Sequence, residues 1–286
     1  MNFIDASLKK IAEVIKNAYV HWETAERNGF MQRLDPRLKV LFLLYCAVII
    51  SLIKKLPAQG AVAVFLLILI LLSRLDAWRL YRRIAIFAFL FGFLVALPSA
   101  FNIITPGRII LHVASLSRAY RFWIYEIPQQ IGITAEGSFG VAMLFLRVAN
   151  SLTAALLIIH TTPFFEIIRA LKVFRVPDVF IMTIILSYKY IFIFSRSVED
   201  MYLAMKSRLA VPINRSAARD LVAGRIFFVF KKSWLRYEDT CRAMTARGFT
   251  GEIMLYHFRN FSAADAAAGV LFILAGAFFL LLQVMI

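Results

Sequence analysis

The chain has 286 residues, 61% of them hydrophobic and only 17% charged, with 33 Lys and Arg against 17 Asp and Glu for a net charge of +16. Mean hydropathy is +0.75, whereas soluble domains are nearer half apolar and about a quarter charged, so a water-soluble globule is excluded. The positive charge does not call for nucleic acid, because basic residues on a membrane protein mark its cytoplasmic loops.

Residues 1–37 are amphipathic and lack the apolar core of a cleaved signal peptide. Five apolar blocks follow as candidate spanning helices: 38–53, 58–73, 84–104, 139–160 and 268–286. In lipid the backbone must satisfy itself internally, so these blocks are read as helices. Gly is sparse and no ten-residue alternation appears, which argues against a β-barrel. The first two blocks are short for a span, and their flanks are expected to extend them. The linker 105–138 carries Pro106-Gly107 as a turn signal and Trp123 and Tyr125 as interfacial aromatics.

A sixth block, 178–197, is decided by charge. Basic residues number six in 1–37, four in 74–83, three in 105–138 and sixteen in 161–262. A cytoplasmic N-terminus and four crossings put the first, second and fourth of these segments inside, as the positive-inside bias requires. A crossing by 178–197 would carry the basic stretch outside. Lys189 at its centre is also costly in mid-bilayer, so this helix is expected to dip into or lie along the membrane. The organisation is therefore a cytoplasmic segment 1–37, a membrane domain 38–160 of four spans, a cytoplasmic insert 161–262 and a last span 268–286. The fold class is an all-α integral membrane protein.

Within the insert, Thr162-Pro163 reads as N-cap and N1 of a short interfacial helix, 163–175. Arg169 and Lys172 share one face of it, away from Ile168, Leu171 and Phe174. Val176-Pro177 ends it and opens the next helix. Residues 211–220, with Pro212 and Asn214, read as a loop. A last long helix runs from about 221 to 247 and stops at Gly248, a C-cap signal.

Two stretches of the insert are near copies. Glu199-Asp200, Ala204-Met205 and Arg208 recur as Glu238-Asp239, Ala243-Met244 and Arg247, all at an offset of 39 (238 less 199; 247 less 208). Each copy ends a long helix on an Arg beside small residues: Ser207 before Arg208, and Ala246 and Gly248 around Arg247. Small neighbours let a helix tip enter a groove, and Arg offers a planar fork of donors for carboxylates or carbonyls. One such Arg is ordinarily a favourable C-cap cation. Two matched copies point instead to two equivalent sockets on a dimeric or pseudo-dimeric partner. The acidic pairs are adjacent in sequence, so their side chains diverge around the helix. They are expected to pair with Arg196, Arg236 or Arg242 rather than to catalyse.

His21, His112, His160 and His257 are scattered, and Cys46 and Cys241 form neither a disulfide framework nor a metal spacing. No phosphate-binding Gly-rich loop is present. No catalytic residue, cofactor or metal is therefore expected in this chain.

The sequence resembles the transmembrane (T) components of energy-coupling factor transporters, most closely the cobalt/nickel branch. The resemblance is carried by LDPRLKV at 34–40, FNIITPGR at 101–108, TTPFFEIIRALKVFRVP at 161–177 and AMTARGF at 243–249. In the first of these Asp35 reads as an N-cap, Pro36 as N1, and Arg37 and Lys39 as headgroup anchors. The resemblance implies a coupling domain of three helices, two long and crossed, whose Arg tips insert into two ABC ATPases. Arg208 and Arg247 are then the insertion residues, although the first tip reads Ser207-Arg208-Leu209, without the Gly. It further implies a separate substrate-binding membrane (S) subunit, ATP and Mg held by the partners, a prokaryotic plasma membrane, and a cobalt or nickel cargo, with a vitamin as the alternative. An ordinary ABC permease would need polar residues along several spans, and here there are few. Arg147 and Asn150 are the best candidates for an intramembrane site, and a packing role is favoured for them. A membrane enzyme lacks a nucleophile–base pair. A purely structural protein leaves the paired tips unexplained.

Overall fold

The computed structural model describes residues 29–102, 104–105, 107–115, 120–122, 125–127, 130–208, 215–249 and 261–285. Residues 1–28 of the expected segment 1–37, Pro106, Trp123, Leu209 and residues 211–214 lie outside the described residues. The fold is nearly all-α. The chain divides into two compact units, one built on Thr24–Pro163 with Arg259–Ile286 and the other on Phe164–Phe258.

In the first unit, α1 (Pro36–Leu52) starts at Asp35, whose carboxylate accepts from Arg37 N at 2.8 Å, with Pro36 in the first turn. Ile53 ends it, and α2 (Leu56–Leu72) follows after a short turn, with Pro57 again in the first turn. Each helix has 17 residues, about 25 Å at 1.5 Å per residue. The third block begins earlier than expected. It is α3 (Ala77–Phe87), continued by a π-helical stretch Ala88–Leu94 and, past Val95 and Ala96, a 3-10 turn Leu97–Ala100. Gly92 lies on this wide stretch against the long helix α4 (Ala135–Thr161), where a Cβ would sit 2.9 Å from Phe145 Cα. The last helix, α8 (Ala263–Met285), packs on α1 through Phe42 and Phe272, with ring centroids 4.2 Å apart, and through Tyr45, whose hydroxyl donates to Ile273 O.

The linker departs from the all-α expectation. β1 (Ile109–Ser115) pairs antiparallel with β4 (Gln130–Thr134), and β2 (Tyr120–Phe122) with β3 (Tyr125–Ile127). The β-branched and aromatic residues of this stretch favour strands once Pro and Gly have broken the helix.

In the second unit, α5 (Phe164–Ala170) gives way to a 3-10 turn, Leu171–Phe174, shorter as an α-helix than expected. Arg175, with φ 56°, ends it. Then come α6 (Asp178–Arg208) and α7 (Arg215–Ala246), of 31 and 32 residues. The expected loop 211–220 is thus too long at its C-terminal end. Arg215, Ala217, Ala218 and Arg219 are good helix formers and join α7. Phe164 stacks on Tyr188 at 4.3 Å and Phe165 meets its edge at 5.0 Å, which fastens α5 to α6. Tyr190 and Thr240 share a hydroxyl–hydroxyl hydrogen bond that joins α6 to α7.

Among the described residues, three helical stretches are long and apolar enough to cross a membrane: α4, Asp178–Met201 within α6, and α8.

Candidate functional site

The Arg247 tip is built by a complete Schellman cap. Phe249 N donates to Met244 O and Gly248 N to Thr245 O, both at 3.0 Å. Arg247 N donates to Ala243 O and Met244 O. The cap requires a left-handed residue, and Gly248 supplies it at φ 73°. An added Cβ there would meet nothing within 4 Å, so the glycine serves the backbone rather than relieving a clash. Ala246, Arg247 and Gly248 are all exposed. The tip therefore presents a guanidinium at the carbonyl end of a 32-residue helix, with small residues on either side.

The other tip ends α6 at Arg208. Ser207 is exposed, and its hydroxyl donates back to Ala204 O at 2.9 Å. Leu209 lies beyond the described residues. Of the acidic pairs, Glu238 meets Arg242 at 3.7 Å, one of the expected partners, and also accepts from Trp234 Nε1 at 2.9 Å. Asp200 and Asp239 are exposed and Glu199 is half-buried. Hydrogen bonding to the Cys241 thiol raises the Tyr237 phenol above its ordinary range, and Glu238 adds to this. Both cysteines are free, Cys46 buried and Cys241 exposed. No cluster of three metal-ligating side chains occurs among the described residues.

One residue of the first motif requires correction. Lys39 is not at the headgroups: it is only 1% exposed, and its ammonium donates to Thr161 O at 3.2 Å and Thr162 Oγ1 at 3.1 Å. The carbonyl end of α4 supplies acceptors and a favourable dipole for this charge. Arg37 is half-buried. Thr162 stands at the end of α4, and its hydroxyl is engaged by Lys39. Pro163 and Pro177 flank α5 and its 3-10 turn. Lys172 pairs with Asp178 at 3.1 Å across Pro177.

Asp265 is a buried residue that the sequence reading missed. Its Oδ1 accepts from Asp35 N at 3.0 Å, its Oδ2 from Ser262 N at 2.9 Å, and Ser262 Oγ in turn accepts from Ala264 N. This is a capping box, and Ser262-Ala263-Ala264-Asp265 ahead of an apolar run is its sequence signal.

Arg147 and Asn150 hold helices together. Asn150 Nδ2 donates to Gln59 O and Gln59 Oε1, both at 3.0 Å, Gln59 Nε2 donates to Ile50 O at 2.7 Å, and Arg147 donates to Ile53 O at 2.9 Å. These bonds tie α4 to the turn between α1 and α2.

A family model described as CbiQ, cobalt transport protein, matches residues 27–257. Two curated relatives come from Methanocaldococcus jannaschii. The uncharacterized protein MJ1571 is 30% identical over 262 residues, covering 91% of this chain and 86% of its own. The uncharacterized protein MJ1089 is 24% identical over 225 residues, covering 79% of each chain.

Proposed function

The chain belongs to the CbiQ family of cobalt transport proteins, and from that membership we propose that it is the transmembrane coupling subunit of an ATP-driven importer of the energy-coupling factor type. It catalyses nothing. Two ABC ATPase subunits, holding ATP and Mg, receive the tips at Arg208 and Arg247. A separate substrate-binding membrane subunit captures the ion, cobalt or nickel. The observation that carries this reading is the pair of long helices that end on Arg, one with an exposed guanidinium held by a Schellman cap.

Closure of the ATPases on ATP draws the tips together, and the long helices pass that stroke to the membrane domain. The cytoplasmic side is assigned by charge: sixteen basic residues fall in 161–262. On this reading α6 lies along or dips into the membrane without crossing, although its apolar length suffices for a crossing. The N-terminus is cytoplasmic and the membrane is the plasma membrane of a prokaryote.

The test is co-purification from membranes that contain all partner subunits. Arg208→Glu together with Arg247→Glu should release the ATPases, while the single changes weaken the complex. A double variant that keeps its ATPases at wild-type stoichiometry would sink the assignment.

A further inference from the structure

Three helix ends meet in the membrane unit, each with a buried side chain of matching charge. Asp35 caps the start of α1, Asp265 lies in the first turn of α8, and the Lys39 ammonium sits at the carbonyl end of α4. All three side chains are at most 3% exposed. Carboxylates at amino ends and a cation at a carboxyl end each agree with the helix dipole.

The places they hold are particular. The second compact unit leaves the membrane unit after Pro163 and returns to it at Arg259. Lys39 binds Thr161 and Thr162, just before the departure. Asp265 caps α8 just after the return, and its Oδ1 binds Asp35 N. Asp35 and Lys39 are one turn apart, joined by Lys39 N to Asp35 O at 3.3 Å. The membrane-unit residues just before the departure and just after the return are therefore hydrogen-bonded to a single turn of α1.

We infer that this turn is the joint through which the stroke of the coupling unit reaches the membrane helices, with Lys39 as its positioning residue; the inference rests on the coupling function proposed above. Displacing Thr161–Thr162 from α1 breaks two hydrogen bonds of a buried ammonium, so α1 moves with them. α1 carries α8 along, because Tyr45 donates to Ile273 O and packs where a Cβ on Gly276 would strike its ring. A stroke that reaches this turn is thus delivered to packed helices.

The experiment reads cobalt moved per ATP hydrolysed in proteoliposomes containing the complete transporter. The ratio is insensitive to the amount of complex that folds. Lys39→Met, which keeps the length of the side chain and removes its donors, should lower the ratio at least about fivefold, the low end of site-to-site coupling, with subunit stoichiometry unchanged. An assembled Lys39→Met complex with the wild-type ratio overturns the joint alone. If that variant does not assemble, Thr162→Val decides. A fall of about two- to fivefold, as for one lost hydrogen bond, with Thr162→Ser at the wild-type value, supports the joint, and no fall overturns it. A wild-type chain that neither retains ATPases nor supports uptake overturns the coupling reading, and the joint with it.

Discussion

At the scale of single residues, the Arg247 tip is held by its backbone. Gly248 takes a left-handed φ that the Schellman cap requires. Gly248→Ala should cost about 1 kcal/mol of cap stability through the backbone alone, since the new Cβ meets nothing. Faster amide exchange at Phe249 would report it, and Gly248→Asn should recover part of the loss. In the sequence, Leu209 follows Arg208 where Gly248 follows Arg247. Inside the membrane unit, Asn150→Leu leaves the buried amide of Gln59 short of a partner. It should cost about 1–3 kcal/mol, and the Gln59→Leu/Asn150→Leu pair less than the sum of the singles. Thermal unfolding in detergent, run as a double-mutant cycle, measures both. A strictly additive cycle would remove the packing role assigned to this pair.

At the scale of elements, the irregular stretch after α3 has a steric logic. Gly92 lets it approach the α4 backbone, and any larger residue must push the two apart. Gly92→Val should cost about 1–3 kcal/mol as overpacking does, visible as a lower melting temperature of the detergent-solubilised chain. The start of α8 is set by its capping box. Ser262→Ala should cost about 1 kcal/mol, and Ser262→Thr should be close to neutral in the same measurement. α1 and α2, at about 25 Å each, fall short of a hydrocarbon core of about 30 Å. Their ends at Asp35, Ile53 and Ser73 are closed by hydrogen bonds rather than by further apolar turns.

At the scale of the whole molecule, the proposed topology has a direct check. In a background without Cys46 and Cys241, Ile110→Cys should react with an impermeant thiol reagent from outside. Thr245→Cys should react only from the cytoplasmic side of inverted vesicles. Both positions are exposed. Labelling of Thr245→Cys from outside intact cells would mean that α6 crosses, and the coupling reading would fail. The chain without partner subunits should support no cobalt uptake, because its buried polar groups bridge helices and line no path among the described residues.

Hydropathy, charge counting and the offset repeat determined by themselves that this is a largely helical membrane protein with two long helices ending on Arg. Those features are local or additive along the chain: apolar runs, helix formers, a C-cap glycine. They also located Asp35 as an N-cap, because capping is decided within a few residues. Lys39 was misread for the opposite reason. Its acceptors belong to Thr161 and Thr162, more than a hundred residues away, and a Lys after an N-terminal Pro looks the same whether it faces headgroups or a helix end. The bond between Asp265 and Asp35, 230 residues apart, has no local signature beyond the capping box on one side. The short strands between Ile109 and Thr134 depend on two segments finding each other. Only the tertiary structure decided these, because burial and long-range hydrogen bonding depend on which helix ends the fold brings together.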